Sequence, residues 1–135
     1  PAVSPYTNQT TPALCGAALS AAPTVSITPP NAGNDVTVST TPLTTLAGSA
    51  GDDVGVLSVT WACPTCTPTS GTATCASCGA AGTSVSWSVA SIGLASGANV
   101  ITTTANDADT QTATDSITVT YTPLTSAPTV LRLVK

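Results

Sequence analysis

The side chains whose type and spacing could do chemistry are four of the five cysteines, Cys63, Cys66, Cys75 and Cys78, and the six aspartates. The cysteines form two Cys-x-x-Cys pairs with eight residues between Cys66 and Cys75. Four thiolates can hold tetrahedral zinc, but ribbon sites space their pairs by roughly 15–20 residues. Disulfides suit this chain better, because it is nearly free of charge and its cysteine usage fits an oxidising compartment. A hairpin centred near Ser70–Gly71 would place Cys63 opposite Cys78 and Cys66 opposite Cys75, since both pairs of numbers sum to 141. Cross-strand Cβ atoms sit ~4.5–5.5 Å apart, within reach of a disulfide. In the chain-entropy model such loops contribute about 3 kcal/mol each, not fully additive because one lies inside the other. Positions 63 and 66 differ by three and so fall on opposite faces of a ribbon, which keeps local Cys63–Cys66 and Cys75–Cys78 bridges open.

Catalytic groups are scarce. There is no histidine and no glutamate, so the common general base is missing and neither a Ser-His nor a Cys-His arrangement can form. Serine and threonine abound, but none lies in a nucleophile motif. The chain is therefore expected to be no enzyme and to need no cofactor. A net charge of −4, with Arg132 and Lys135 the only basic residues, leaves no footprint for nucleic acid. Nothing approaches a membrane span or a signal peptide, and a start at Pro1 reads as the product of processing.

The elements that would position these groups are strands. At 135 residues, rich in Thr, Ser, Ala and Val and without Phe or Met, the chain favours pleated surfaces over helix. Val25 and Ile27 alternate in a first strand stopped by Pro29-Pro30, and Val36 and Val38 suggest its continuation. A second strand runs from Leu43 to Ala50, ending in a loop over Gly48–Asp53. Leu57, Val59 and Trp61 mark the next, before the cysteine hairpin. Val85, Trp87 and Val89 follow, then a loop over Gly93–Asn99. Ile101, Thr103 and Ala105, and finally Ile117, Val119 and Tyr121, complete the set. About seven short strands at ~8–12-residue spacing predict an antiparallel β-sandwich, with Trp61 and Trp87 at the core's centre.

Ala47-Gly48-Ser49-Ala50 before Asp52-Asp53-Val54-Gly55-Val56, then Val59-Thr60-Trp61, Trp87, Leu94–Asn99, Ala105-Asn106-Asp107 and Asp115–Thr120 resemble the bacterial Ig-like domains repeated in secreted and surface proteins. The resemblance covers roughly residues 23–123 and implies an immunoglobulin-like sandwich serving as a stalk, adhesive or assembly unit. The cysteine hairpin and the lead-in depart from that pattern. In such a sandwich the loop with Asp52 and Asp53 and the loop with Asp107 and Asp109 fall at one end. Four carboxylates there could hold calcium, which takes several oxygen ligands. Asp is also a common turn residue that bonds nearby amides, and that plainer reading is the stronger.

Residues 1–22 are a Pro/Thr/Ala-rich extension carrying the sequon Asn8-Gln9-Thr10 and the odd cysteine, Cys15. Cys15 is open to several readings: a free thiol, a buried unpaired one, or a bridge to another chain or to a segment removed from this one. Residues 124–135 form a strand-like tail. Ala127-Pro128-Thr129-Val130 repeats Ala22-Pro23-Thr24-Val25 at an interval of 105 residues. Val130, Leu131, Leu133 and Val134 make it a candidate assembly strand, added to the sheet edge of another copy. The same repeat fits a unit cut from a tandem array, and the tail could instead pack on its own domain. The expectation is a structural subunit of an extracellular filament or cell-surface assembly whose partners are copies of itself. The alternative is an adhesin or stalk repeat, or an accessory module of a secreted protein that binds glycans or other surface proteins. Only Tyr6, Trp61, Trp87 and Tyr121 are aromatic, too few for a sugar platform with both tryptophans inside.

Overall fold

The computed structural model describes residues 20–28, 35–80 and 84–125. These form eight strands and no helix. The strands are β1 (Thr24–Thr28), β2 (Asp35–Val38), β3 (Leu43–Gly51), β4 (Val56–Ala62), β5 (Ser70–Thr72), β6 (Val85–Ile92), β7 (Gly97–Asp107) and β8 (Thr112–Tyr121). One sheet has the order β1-β3-β6, the other β2-β8-β7-β4-β5. The two face each other as a sandwich. All described pairings are antiparallel except β2 on β8, which is parallel. The segment around Val36 and Val38 is thus not a continuation of the first strand along its own sheet; it belongs to the opposite one.

Alternation builds the core. On β7 the odd-numbered residues from Asn99 to Asp107 are buried, and on β8 Ile117 and Val119 continue the same face. Val85, Trp87 and Val89 line the facing sheet beside Leu46 and Ala50. Each tryptophan lies against a glycine on the neighbouring strand. Trp61 pairs with Gly71, where an added Cβ would stand 2.9 Å from the indole Nε1. Trp87 pairs with Gly48, where a methyl group would overlap the ring and the Ser26 carbonyl. Gly48 therefore belongs inside β3, which runs on to Gly51, and the loop shrinks to residues 52–55.

The cysteines correct the nested hairpin. Trp61 faces Gly71 and Ala62 faces Ser70, so β4 and β5 turn about position 66 and not about 70–71. The bridges are local, Cys63–Cys66 and Cys75–Cys78, with Cα atoms 5.3 and 5.4 Å apart. The register is set by burying Trp61 over Gly71, and that leaves Cys63 opposite Thr69, to whose carbonyl it donates at 2.7 Å. Each bridge closes only four residues, worth about 2 kcal/mol in the chain-entropy model. Neither lies inside the other, so their contributions are independent.

The strand directions give the sandwich two poles. Gly51, Val56, Asp107 and Thr24 lie at one, by the pairings Thr24–Gly51 and Val56–Asp107. Leu43, Ala62, Ile92, Gly97 and Tyr121 lie at or towards the other. β7, with eleven residues, is the longest strand and spans about 33 Å between the poles.

Candidate functional site

At the pole reached by Tyr121, the Cys63–Cys66 bridge is buried, its residues 0% and 3% exposed. Beside it Asn99, also fully buried, is hydrogen-bonded at both ends of its amide. Its Oδ1 accepts from the Thr65 hydroxyl and the Ala95 N–H, both at 3.0 Å. Its Nδ2 donates to the carbonyls of Ala95, Gly97 and Val119 at 2.9, 2.9 and 3.1 Å. One side chain thus joins the cysteine loop, the β6–β7 turn and β8. Residues 97–99 are strand rather than the loop expected from Gly93 to Asn99.

The opposite pole holds four of the six aspartates. Asp52 Oδ2 accepts the N–H groups of Val54 and Gly55 at 3.0 and 2.7 Å, closing the turn from β3 to β4. Asp53, exposed, accepts from the Ser20 hydroxyl and the Ala21 N–H at 3.3 Å, tying the start of the domain to that turn. Asp107 Oδ1 accepts the Gln111 N–H at 2.7 Å in the β7–β8 hairpin. Gln111 Nε2 in turn reaches the Ser20 carbonyl at 3.0 Å. Asp109 stands exposed on the hairpin tip.

The two loops thus meet at one end, the arrangement that the resemblance implied, with Asp52, Asp53 and Asp107 acting on backbone amides. The four carboxylates do not converge into a cage: among the described residues no group of three or more His, Cys, Asp or Glu side chains is placed to hold a metal ion. Two buried oxygens, Asp52 Oδ1 and Asp107 Oδ2, nevertheless have no hydrogen-bond partner among the described residues. Leaving a buried acceptor unpaired is costly.

Next to these acids the surface turns apolar. Val54 and Leu57 are 49% and 55% exposed. With Gly55, Gly79, Ala80 and Ala108 they line an open hollow of about 230 Å³. A register irregularity between Val56 and Ser58 turns Leu57 outward. The Cys75–Cys78 bridge, half-buried, anchors the segment that supplies Gly79, whose N–H donates to the Val56 carbonyl at 2.9 Å. The sequence reading gave Asn99, Gln111 and Val54 no role of their own, and it placed Leu57 on one face with Val59 and Trp61, where the structure turns it outward. The signal for Asn99 was present in its parity with Ile101; none pointed to the outward turn of Leu57.

Asn8, Cys15 and the tail residues Val130, Leu131, Leu133 and Val134 lie outside the described residues. No family model matches the chain, and no curated protein matches it in sequence.

Proposed function

We propose that this chain is a non-enzymatic structural subunit of an extracellular filament or cell-surface assembly, joining copies of itself head to tail through a terminal segment. The observation that carries this reading is where the chain enters and where it leaves the described sandwich. Ser20 is bound at the acidic pole through Asp53 and Gln111. Tyr121 pairs with Gly97 at the stapled pole, and Thr122 still donates to the Val38 carbonyl there. An elongated sandwich with its ends at opposite poles links in a line, and a contact between unlike surfaces does not close on itself. Two disulfides suit an oxidising compartment, and no helix among the described residues is long and apolar enough to cross a membrane. The lack of histidine supports a scaffold over a catalyst.

The same opposed ends also suit one unit of a tandem array, an adhesin or stalk repeat, which the recurrence of Ala22–Val25 at Ala127–Val130 favours. Negative-stain microscopy separates the two. Filaments of full-length chain that vanish when residues 127–135 are deleted support assembly through the tail. Fibres that persist in the deletion dispose of it, and monodisperse particles that bind glycans favour the module.

A further inference from the structure

Asp52, Asp53, Asp107 and Asp109 gather at one pole, while the only two cationic side chains, Arg132 and Lys135, belong to the last four residues. Those residues follow Thr122, which lies at the other pole. In the tail the cations are interleaved with Val130, Leu131, Leu133 and Val134. The acidic pole offers the matching pair of features: exposed Asp53 and Asp109 beside a hollow whose walls include Val54 and Leu57.

We infer that the acidic pole is the receiving surface for residues 127–135 of a second copy. The hollow takes aliphatic side chains of the tail, and Asp53 and Asp109 face Arg132 and Lys135. This rests on the head-to-tail reading above and specifies its contact. Size permits it, since a cavity of about 150 Å³ already admits a benzene ring and this hollow is about 230 Å³.

Two arguments direct the tail to a neighbour's pole. First, reach. Ten residues separate Thr122 from Arg132, and fully extended they cover about 33–36 Å. That barely equals the length of β7, so Arg132 meets its own acidic pole only with the segment before it stretched taut, whereas a neighbour stacked end-on presents its pole directly. Second, the obvious alternative seat fails. The repeat interval of 105 residues aligns Val130 with Val25 and Arg132 with Ile27. Ile27 is 8% exposed in the core, so a tail replacing β1 in that register would bury Arg132 among apolar side chains. Slipping by one residue turns the leucines inward but breaks the match over Ala127–Val130.

The test is fluorescence anisotropy of a labelled synthetic peptide of residues 126–135 titrated with the full-length chain. Saturable binding is expected. It should weaken at least tenfold for the Asp53→Asn/Asp109→Asn chain, for the Leu57→Lys chain, and for a peptide carrying Arg132→Ala and Lys135→Ala. Raising salt from 0.01 M to 0.15 M, which shortens the Debye length from about 30 Å to about 8 Å, should also weaken it. No binding, or binding indifferent to the pole substitutions as expected of a tail seated on β3, overturns the inference. Filaments that form equally well from the pole variants overturn it too while leaving the head-to-tail reading intact. A chain that binds the peptide at this pole yet stays monomeric supports the contact and sinks the filament.

Discussion

The two poles of this sandwich are finished differently. At the stapled pole a buried disulfide sits beside Asn99, whose amide is satisfied at both ends by five partners of usual hydrogen-bond length. At the acidic pole two buried carboxylate oxygens lack partners among the described residues, and exposed Val54 and Leu57 share one hollow, whereas the exposed Val100 and Leu124, towards the other pole, line no hollow with them. The first arrangement spends its polar groups internally and holds three connections in place. The second keeps polar and apolar groups in reserve. On the proposed reading, stability is concentrated at the first pole and association at the second.

That division can be broken most severely at Asn99. Asn99→Ala strands the buried Val119 carbonyl and releases the part-buried bonds to Thr65, Ala95 and Gly97, so it is expected to cost about 3 kcal/mol in urea unfolding. A cost under about 1 kcal/mol would show that the stapled pole is not pinned by this amide. Next is the buried bridge. Cys63→Ala/Cys66→Ala loses about 2 kcal/mol of chain-entropy stabilisation and adds a cavity in the core. Cys75→Ala/Cys78→Ala loses about the same entropy with less packing, because that pair is half-buried. Thermal melts of the two variants should rank in that order, and the reverse order would refute the contrast in burial. Access follows the same ranking. Alkylation after mild reduction of the folded chain should label Cys75 and Cys78 before Cys63 and Cys66.

Smaller effects belong to the acidic pole. Asp53→Asn/Asp109→Asn should change stability by no more than about 0.5 kcal/mol, as is usual for exposed sites, while altering association. Smallest of all is the response to calcium. With no group of three carboxylates converging among the described residues, millimolar calcium should leave the melting temperature nearly unchanged. A rise of several degrees, which in a domain of this size corresponds to about 1 kcal/mol or more, would make Asp52 and Asp107 metal ligands.

Much of the architecture was legible because alternation carries it. Val25 and Ile27, Val85 to Val89, and Ile117 to Tyr121 each announce a strand and its inward face. The same parity that puts Ile101 inside also puts Asn99 and Asp107 inside, yet their polarity reads as loop and turn. The cysteine register was not legible. Two Cys-x-x-Cys pairs are compatible with nested and with local bridges alike. The choice was made by Trp61, which needs Gly71 beneath its ring, and that contact joins residues from two strands. The acid cluster was legible as four carboxylates at one end. Its apolar partner was not, because Leu57 occupies an inward position by alternation and only the irregularity at Val56–Ser58 turns it out.

Lys135 is the only lysine in the chain, which makes its neighbour easy to identify. Zero-length amine-to-carboxylate cross-linking of full-length chain, mixed from isotopically light and heavy preparations, reads that neighbour directly by mass spectrometry. Head-to-tail joining through the acidic pole requires mixed-isotope cross-links from Lys135 to Asp53 or Asp109. Cross-links from Lys135 to Asp35 or Asp115 instead, or only within single chains, would contradict it.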